Sequence, residues 1–156
     1  MRLARGVSLG LVWAFSAALL GVACQTVDLG APPADVNACR PSQSFFVTDV
    51  WPNVLAKSYG GKRCFDSSCH DVASGKSLAL VADPQPAIDA TMPIPLPLPG
   101  DWAKNYISAS EQMSCSNFAA SSLLLFPTAT RAHGGGKLFD VGSPEALTLK
   151  MWVTAP

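Results

Sequence analysis

From Met92 to Gly100 the chain reads MPIPLPLPG, with a proline at every second position from Pro93 to Pro99. Each proline removes a backbone donor and fixes its own φ, so no α-helix can pass through this stretch and no central strand can include it. What remains open is an extended, polyproline-like strap. Ile94, Leu96 and Leu98 give that strap apolar side chains, so it is expected to lie on a core rather than to link domains. The whole of residues 71–100 reads as loop, and regular structure must be built on either side of it. Thirteen prolines and twelve glycines in 156 residues carry the same message. The fold has much loop, a modest core and a need for a staple.

Helical signals flank the strap. Between residues 43 and 58, Phe46, Val50 and Val54 recur every four positions, with Phe45, Trp51 and Leu55 beside them, which is a helical stripe. Pro52 either kinks that helix or marks the first turn of one that starts near Asp49. Gly60 and Gly61 then end it. Residues 102–126 hold one or two helices, anchored by Trp102, Tyr106 and Ile107 and closing in the dense apolar segment FAASSLLLF before Pro127. RAHGGGKLF is a glycine-rich turn that carries His133. In GSPEAL, Ser143 suits an N-cap, Pro144 the first helical position and Glu145 the positive end of the helix dipole. The following run, Leu147 to Val153, partly alternates, and the capping signal decides for helix. The expected class is mostly α, a small helical domain with long Pro/Gly-rich loops.

The N-terminus sets the compartment. Arg2 and Arg5 precede an uncharged run, GVSLGLVWAFSAALLGVA, that ends in small residues before Cys24. This is the layout of a secretory signal peptide over residues 1–23. A retained membrane-spanning helix is the alternative, since the run is almost long enough to cross a bilayer. LLGVAC resembles the lipobox of bacterial lipoproteins, with Gly21 where a branched aliphatic residue is preferred, and the resemblance implies a lipidated Cys24. Gln25, which is not Asp, then implies outer-membrane sorting, facing the periplasm or the cell surface. Ordinary signal-peptidase cleavage would instead leave a soluble periplasmic protein. Residues 24–42, with few large apolar side chains and three prolines, suit a tether, and residues 43–156 form the domain. The mature chain is roughly 130 residues, the length of one domain.

Export makes the cysteines informative. Cys39, Cys64, Cys69 and Cys115 remain after Cys24, and free thiols do not persist in an oxidising compartment. They form two disulfides, or one disulfide and a pair bonded covalently to something else. KRCFDSSCHD, residues 62–71, bears on the choice. A cysteine pair whose second member is followed at once by histidine is the pattern of c-type haem attachment, in which two thioethers hold the porphyrin and the imidazole binds iron. Here four residues separate the cysteines where two are usual. Cys69 and His70 keep the adjacency the chemistry needs, and a bulged loop accommodates Cys64. On that reading Cys39 and Cys115 are left to pair with each other. His133 is the candidate sixth iron ligand, with three following glycines that let backbone approach a flat cofactor. Met92 is the alternative ligand, because M-P loops supply one in many c-type cytochromes.

The order of motifs extends the pattern. VWPNVL at 50–55, the cysteine–histidine stretch at 64–70, SLLLFP at 122–127, HGGG at 133–136 and LKMW at 149–152 together resemble the cytochrome c-like domains of exported, often lipid-anchored bacterial proteins. The resemblance covers most of residues 45–156. It implies one covalent haem c on Cys64 and Cys69, His70 as proximal ligand, and a pocket walled by Phe46, Trp51, Leu78, Leu124, Phe139 and Trp152. It further implies electron transfer to a redox protein in the cell envelope, with the chain an electron carrier rather than an enzyme of bond chemistry.

Other functions are disfavoured by what the chain lacks. Eleven basic and eleven acidic residues, with no basic run, give no nucleic-acid footprint. HGGG also occurs in esterase oxyanion loops, but no G-x-S-x-G accompanies it. Two further readings compete with haem. In one, Cys64 and Cys69 close a tight disulfide and the protein is a haem-free, disulfide-stabilised envelope lipoprotein with a binding or structural role. In the other, Cys64, Cys69, His70 and His133 hold zinc, although adjacent Cys69 and His70 would strain a tetrahedral centre.

Overall fold

A computed structural model of the protein describes residues 39–154. The stretches expected from sequence to be a signal peptide and a tether lie outside the described residues, the first wholly and the second for the most part, and so does Cys24. Among the described residues the chain is mostly helical and has no sheet, only two isolated bridges, Tyr59 with Lys62 and Asp71 with Leu80. No helix of the described residues is long and apolar enough to cross a membrane.

Helix α1 begins as an α-turn at Gln43–Phe45 and continues as a π-helix over Phe46–Leu55. Ser42 caps it, accepting from the Phe45 amide at 3.3 Å. The sequence left a choice between a kink at Pro52 and a new helix near Asp49, and no new helix starts there. The helix instead passes through Pro52 with wider turns, and the Ala56 amide reaches back five residues to the Trp51 carbonyl at 2.8 Å. A wider turn relieves the clash between a proline ring and the carbonyl of the preceding turn. Phe46, Val47, Val50, Trp51, Val54 and Leu55 are all buried, so the apolar stripe faces the core as its spacing predicts.

The other main helices are α2, Gly100–Ser110, the short α3, Ser122–Leu125, and α4, Pro144–Thr154. Ser143 does cap α4: its Oγ accepts from the Ala146 amide at 3.3 Å. The core where α1, α2 and α4 meet is aromatic. Phe46 lies 5.4 Å from Trp152 and 5.7 Å from Tyr106, ring centre to ring centre, and Trp51 lies 5.6 Å from Trp102. Such pairs add about 0.5–1.5 kcal/mol each beyond their burial. Their polar tips are satisfied by the chain entering α1. Tyr106 donates to the Pro41 carbonyl at 2.7 Å and Trp152 Nε1 to the Ser42 carbonyl at 2.8 Å.

Helix α2 stands in for a sheet partner. Fully buried Asn105 accepts from the Val81 amide at 2.8 Å and donates to the Val81 carbonyl at 3.0 Å. Ser108 Oγ accepts from the Ala79 amide at 2.8 Å. Loop 78–86 is thus bonded to a helix through side chains, which answers the demand that buried backbone groups find partners. The strap lies on the core through Leu98 and, in part, Ile94. Leu96 points away, 60% exposed. A disulfide joins Cys39 to Cys115 across 76 residues of sequence.

Candidate functional site

Gly60 and Gly61, with φ of 61° and 86°, form the tight turn that follows α1. Two left-handed residues in succession are what such a hairpin turn requires. Tyr59 and Lys62 pair across it, at 2.7 and 3.2 Å, and the chain is turned into the cysteine stretch. There the loop closes on itself. The His70 amide donates to the Cys64 carbonyl at 2.8 Å and the Cys69 amide to the Asp66 carbonyl at 2.7 Å. Asp66 also accepts from the Arg63 amide at 2.8 Å.

The extra residues between the cysteines have a structural use. Phe65 is buried and stacks on Trp51, ring centres 5.5 Å apart and planes within 17°. The Arg63 guanidinium lies over the same ring at 4.6 Å. Phe65 therefore pins the bulged loop to α1, while Cys64 and Cys69 stay half-buried beside it. Both are free thiols, and the tight disulfide considered from sequence is not formed. Burial, with Cys69 and Asp66 nearby, pushes the Cys64 thiol up to about 12.

The two histidines meet at this loop. His70 and His133 have ring centres 6.1 Å apart and planes within 14° of parallel. His70 Nδ1 lies 3.0 Å from the Leu78 carbonyl oxygen, and His133 Nδ1 lies 3.0 Å from the Gly136 carbonyl oxygen. A carbonyl only accepts, so in each bond Nδ1 carries the proton and, in the neutral ring, Nε2 keeps the lone pair. Burial lowers the His70 pKa below the ordinary value, with the Leu78 bond opposing and the Lys76 charge assisting, which favours the neutral ring. The glycines after His133 divide the work. Gly136, φ 72°, turns the chain so that its carbonyl faces the ring. Gly135 lies under the ring: a Cβ there would stand 3.2 Å from His133 Cε1.

A cavity of about 730 Å³ lies against this group. Cys64, Cys69, His70, His133, Gly134 and Gly135 line it, as do the apolar Tyr59, Leu78, Leu123, Phe126, Pro127 and Leu138. Its size is in the usual range for small-molecule and cofactor sites. Of the walls expected from sequence, only Leu78 is on the cavity. Phe46, Trp51, Leu124, Phe139 and Trp152 are buried in the core instead, because the large aromatics pack on one another. The walls that sequence reasoning missed flank motifs it had already singled out: Tyr59 before the glycine turn, Leu123 and Phe126 before Pro127, Leu138 after the glycines. Met92 is not part of the site. It is 62% exposed, on a turn built around Asp89 whose carbonyl accepts the Met92 amide at 3.1 Å.

Among the described residues no group of three or more His, Cys, Asp or Glu side chains is placed to hold a metal ion, so the four-ligand zinc arrangement is not formed. No protein-family model, curated protein or solved structure matches this chain.

Proposed function

We propose that this protein is a monohaem c-type cytochrome-like electron carrier of the cell envelope, with haem bound covalently through Cys64 and Cys69 and His70 as an axial ligand. The observation that carries this reading is the histidine pair. Each ring keeps the Nε2 lone pair that can bind a metal, both rings line the cavity that Cys64 and Cys69 also line, and they are near-parallel with centres 6.1 Å apart. Metal-binding histidines usually donate the other ring N–H to a carbonyl or carboxylate, and both of these do so. A porphyrin brings four nitrogens of its own, so two protein ligands are enough.

The remaining residues fit the same group. Cys69 is next to His70 in sequence, and Cys64 is tied to His70 through the backbone. The apolar walls suit the faces of a flat ring, and Gly134 and Gly135 add no side-chain bulk. Haem supplies the one-electron centre that no side chain here provides. The protein binds and orients it and shields it from water. The hydrogen bonds on Nδ1 hold each ring in place and raise the basicity of Nε2. A second histidine, rather than methionine, favours a lower potential. The envelope location rests on residues 1–24 of the sequence, and the partner is a redox protein of that compartment.

The test is haem staining after denaturing electrophoresis, on protein expressed in the periplasm of a host with cytochrome c maturation machinery. A stained band at the right mass is expected, and the Cys64→Ser, Cys69→Ser double variant should lose it. A colourless wild-type band beside a stained cytochrome control would overturn the proposal. The haem-free, disulfide-stabilised lipoprotein would then be the better account.

A further inference from the structure

The cavity is lined by three charged side chains, Lys62, Arg63 and Lys76, and all three are cations. Composition does not explain this, because the chain has as many acids as bases. Among the described residues no carboxylate lines the cavity. The three cations are also not equivalent. Arg63 is occupied by Asp66, at 3.6 Å, and by the Phe65 ring. Lys62 and Lys76 have no carboxylate partner among the described residues. Lys62 makes no side-chain ion pair, and Lys76 donates only to the Ser68 carbonyl at 3.1 Å. They reach the cavity from separate segments. Lys62 follows the glycine turn, and Lys76 follows a 3₁₀ turn, Val72–Ser74, that ends at Gly75 with φ of 65°.

A largely apolar cavity with two uncommitted cations on different segments, and no carboxylate among its described lining residues, selects a particular shape of ligand. It suits a flat apolar body with carboxylates on its edge, because each ammonium then gains an anion while the body covers Leu78, Leu123, Phe126 and Leu138. We infer that the cavity recognises a dicarboxylate-bearing flat ring non-covalently, through Lys62 and Lys76 and the apolar walls, before and without any bond to Cys64 or Cys69. The inference rests on the proposed haem site and deepens it, because it assigns capture of the ring to charge and shape rather than to the thiols.

The probe is metal-free deuteroporphyrin, a ring with two carboxylates, titrated into the Cys64→Ser, Cys69→Ser protein and followed by tryptophan quenching. Saturable binding is expected, with affinity falling as salt is added. The further Lys62→Glu, Lys76→Glu change should weaken it about tenfold or more. Lys104→Glu, Lys150→Glu, an equal change of net charge at lysines outside the cavity, should leave it within about twofold. Circular dichroism checks that each variant is folded. If both pairs of changes weaken binding alike, long-range charge is responsible and the inference fails. It fails equally if the folded thiol-free protein does not bind the probe. In either case, haem staining of the wild-type protein decides separately whether the covalent reading stands.

Discussion

His70 and His133 use one device in two settings. Each gives its Nδ1 proton to a backbone carbonyl, but His70 bonds across to Leu78, whereas His133 bonds within its own glycine turn to Gly136. The second arrangement depends on what is missing under the ring. Gly135→Ala would place a Cβ 3.2 Å from His133 Cε1, while Gly134→Ala meets nothing within 4 Å. Neither glycine needs a left-handed φ, so both variants should keep stability within about 0.5 kcal/mol in urea melts. If haem is bound as proposed, only Gly135→Ala should move the visible spectrum, and equal spectra for the two would show that Gly135 does not position His133. At this scale the sequence was informative where one residue type implies one chemistry. The capping Ser143 is such a case. The sequence was silent on Phe65, since nothing local marks a phenylalanine inside a loop as its anchor. It misled on Met92, because an M-P pair looks the same on an exposed turn as beside an iron.

Helices and loops are held by bonds between distant segments, and these set the next expectations. Asn105 satisfies both backbone groups of Val81 in the interior. Asn105→Leu should therefore cost about 2–4 kcal/mol, read as a lower urea midpoint, because it strands a donor and an acceptor together. Gly100, at the start of α2, has φ of 49°, and a Cβ there would stand 2.2 Å from the Gln85 carbonyl oxygen. Gly100→Ala should cost at least about 2 kcal/mol, since both conformation and contact are wrong. At the far end of the chain, Lys57 pairs with the nearly enclosed Glu145 at the start of α4. The Lys57 and Ser143 hydrogen bonds hold the Glu145 carboxyl at about 2, down from an ordinary 4.5. Its contribution is full above about pH 4.5 and is lost as the pH falls towards about 2. Lys57→Met should flatten that part of the stability–pH curve and cost on the order of 1 kcal/mol at pH 7. Element type was legible in α1 and α4 from spacing and capping. The π-helix was not, because no periodicity of four announces how the backbone will accommodate the Pro52 ring.

Over the whole molecule, the core and the cavity draw on different parts of the aromatic set. The largest rings fill the space between α1, α2 and α4, and smaller apolar residues are left to wall the site. Burial could be read from hydrophobicity, but which buried residues face a cavity depends on tertiary contacts that a single sequence does not carry. The disulfide found among the described residues compensates for the loop content. Closing 76 residues of chain, the Cys39–Cys115 disulfide should contribute about 4 kcal/mol. Cys39→Ser, Cys115→Ser protein should unfold at correspondingly lower urea, and should still stain for haem if the proposed attachment is right. A double variant as stable as the wild type would show that the cross-link does little.

The position of that disulfide has a mechanical consequence. Cys39 lies just ahead of α1, and Pro41 and Ser42 between them are already gripped by Tyr106 and Trp152. Tension applied along the chain from before residue 39 would enter the domain at the cross-link and pass directly to Cys115. It would bypass the first turn of α1. The helix that carries Trp51, and with it the stacked Phe65 of the cysteine loop, is thereby isolated from pulling.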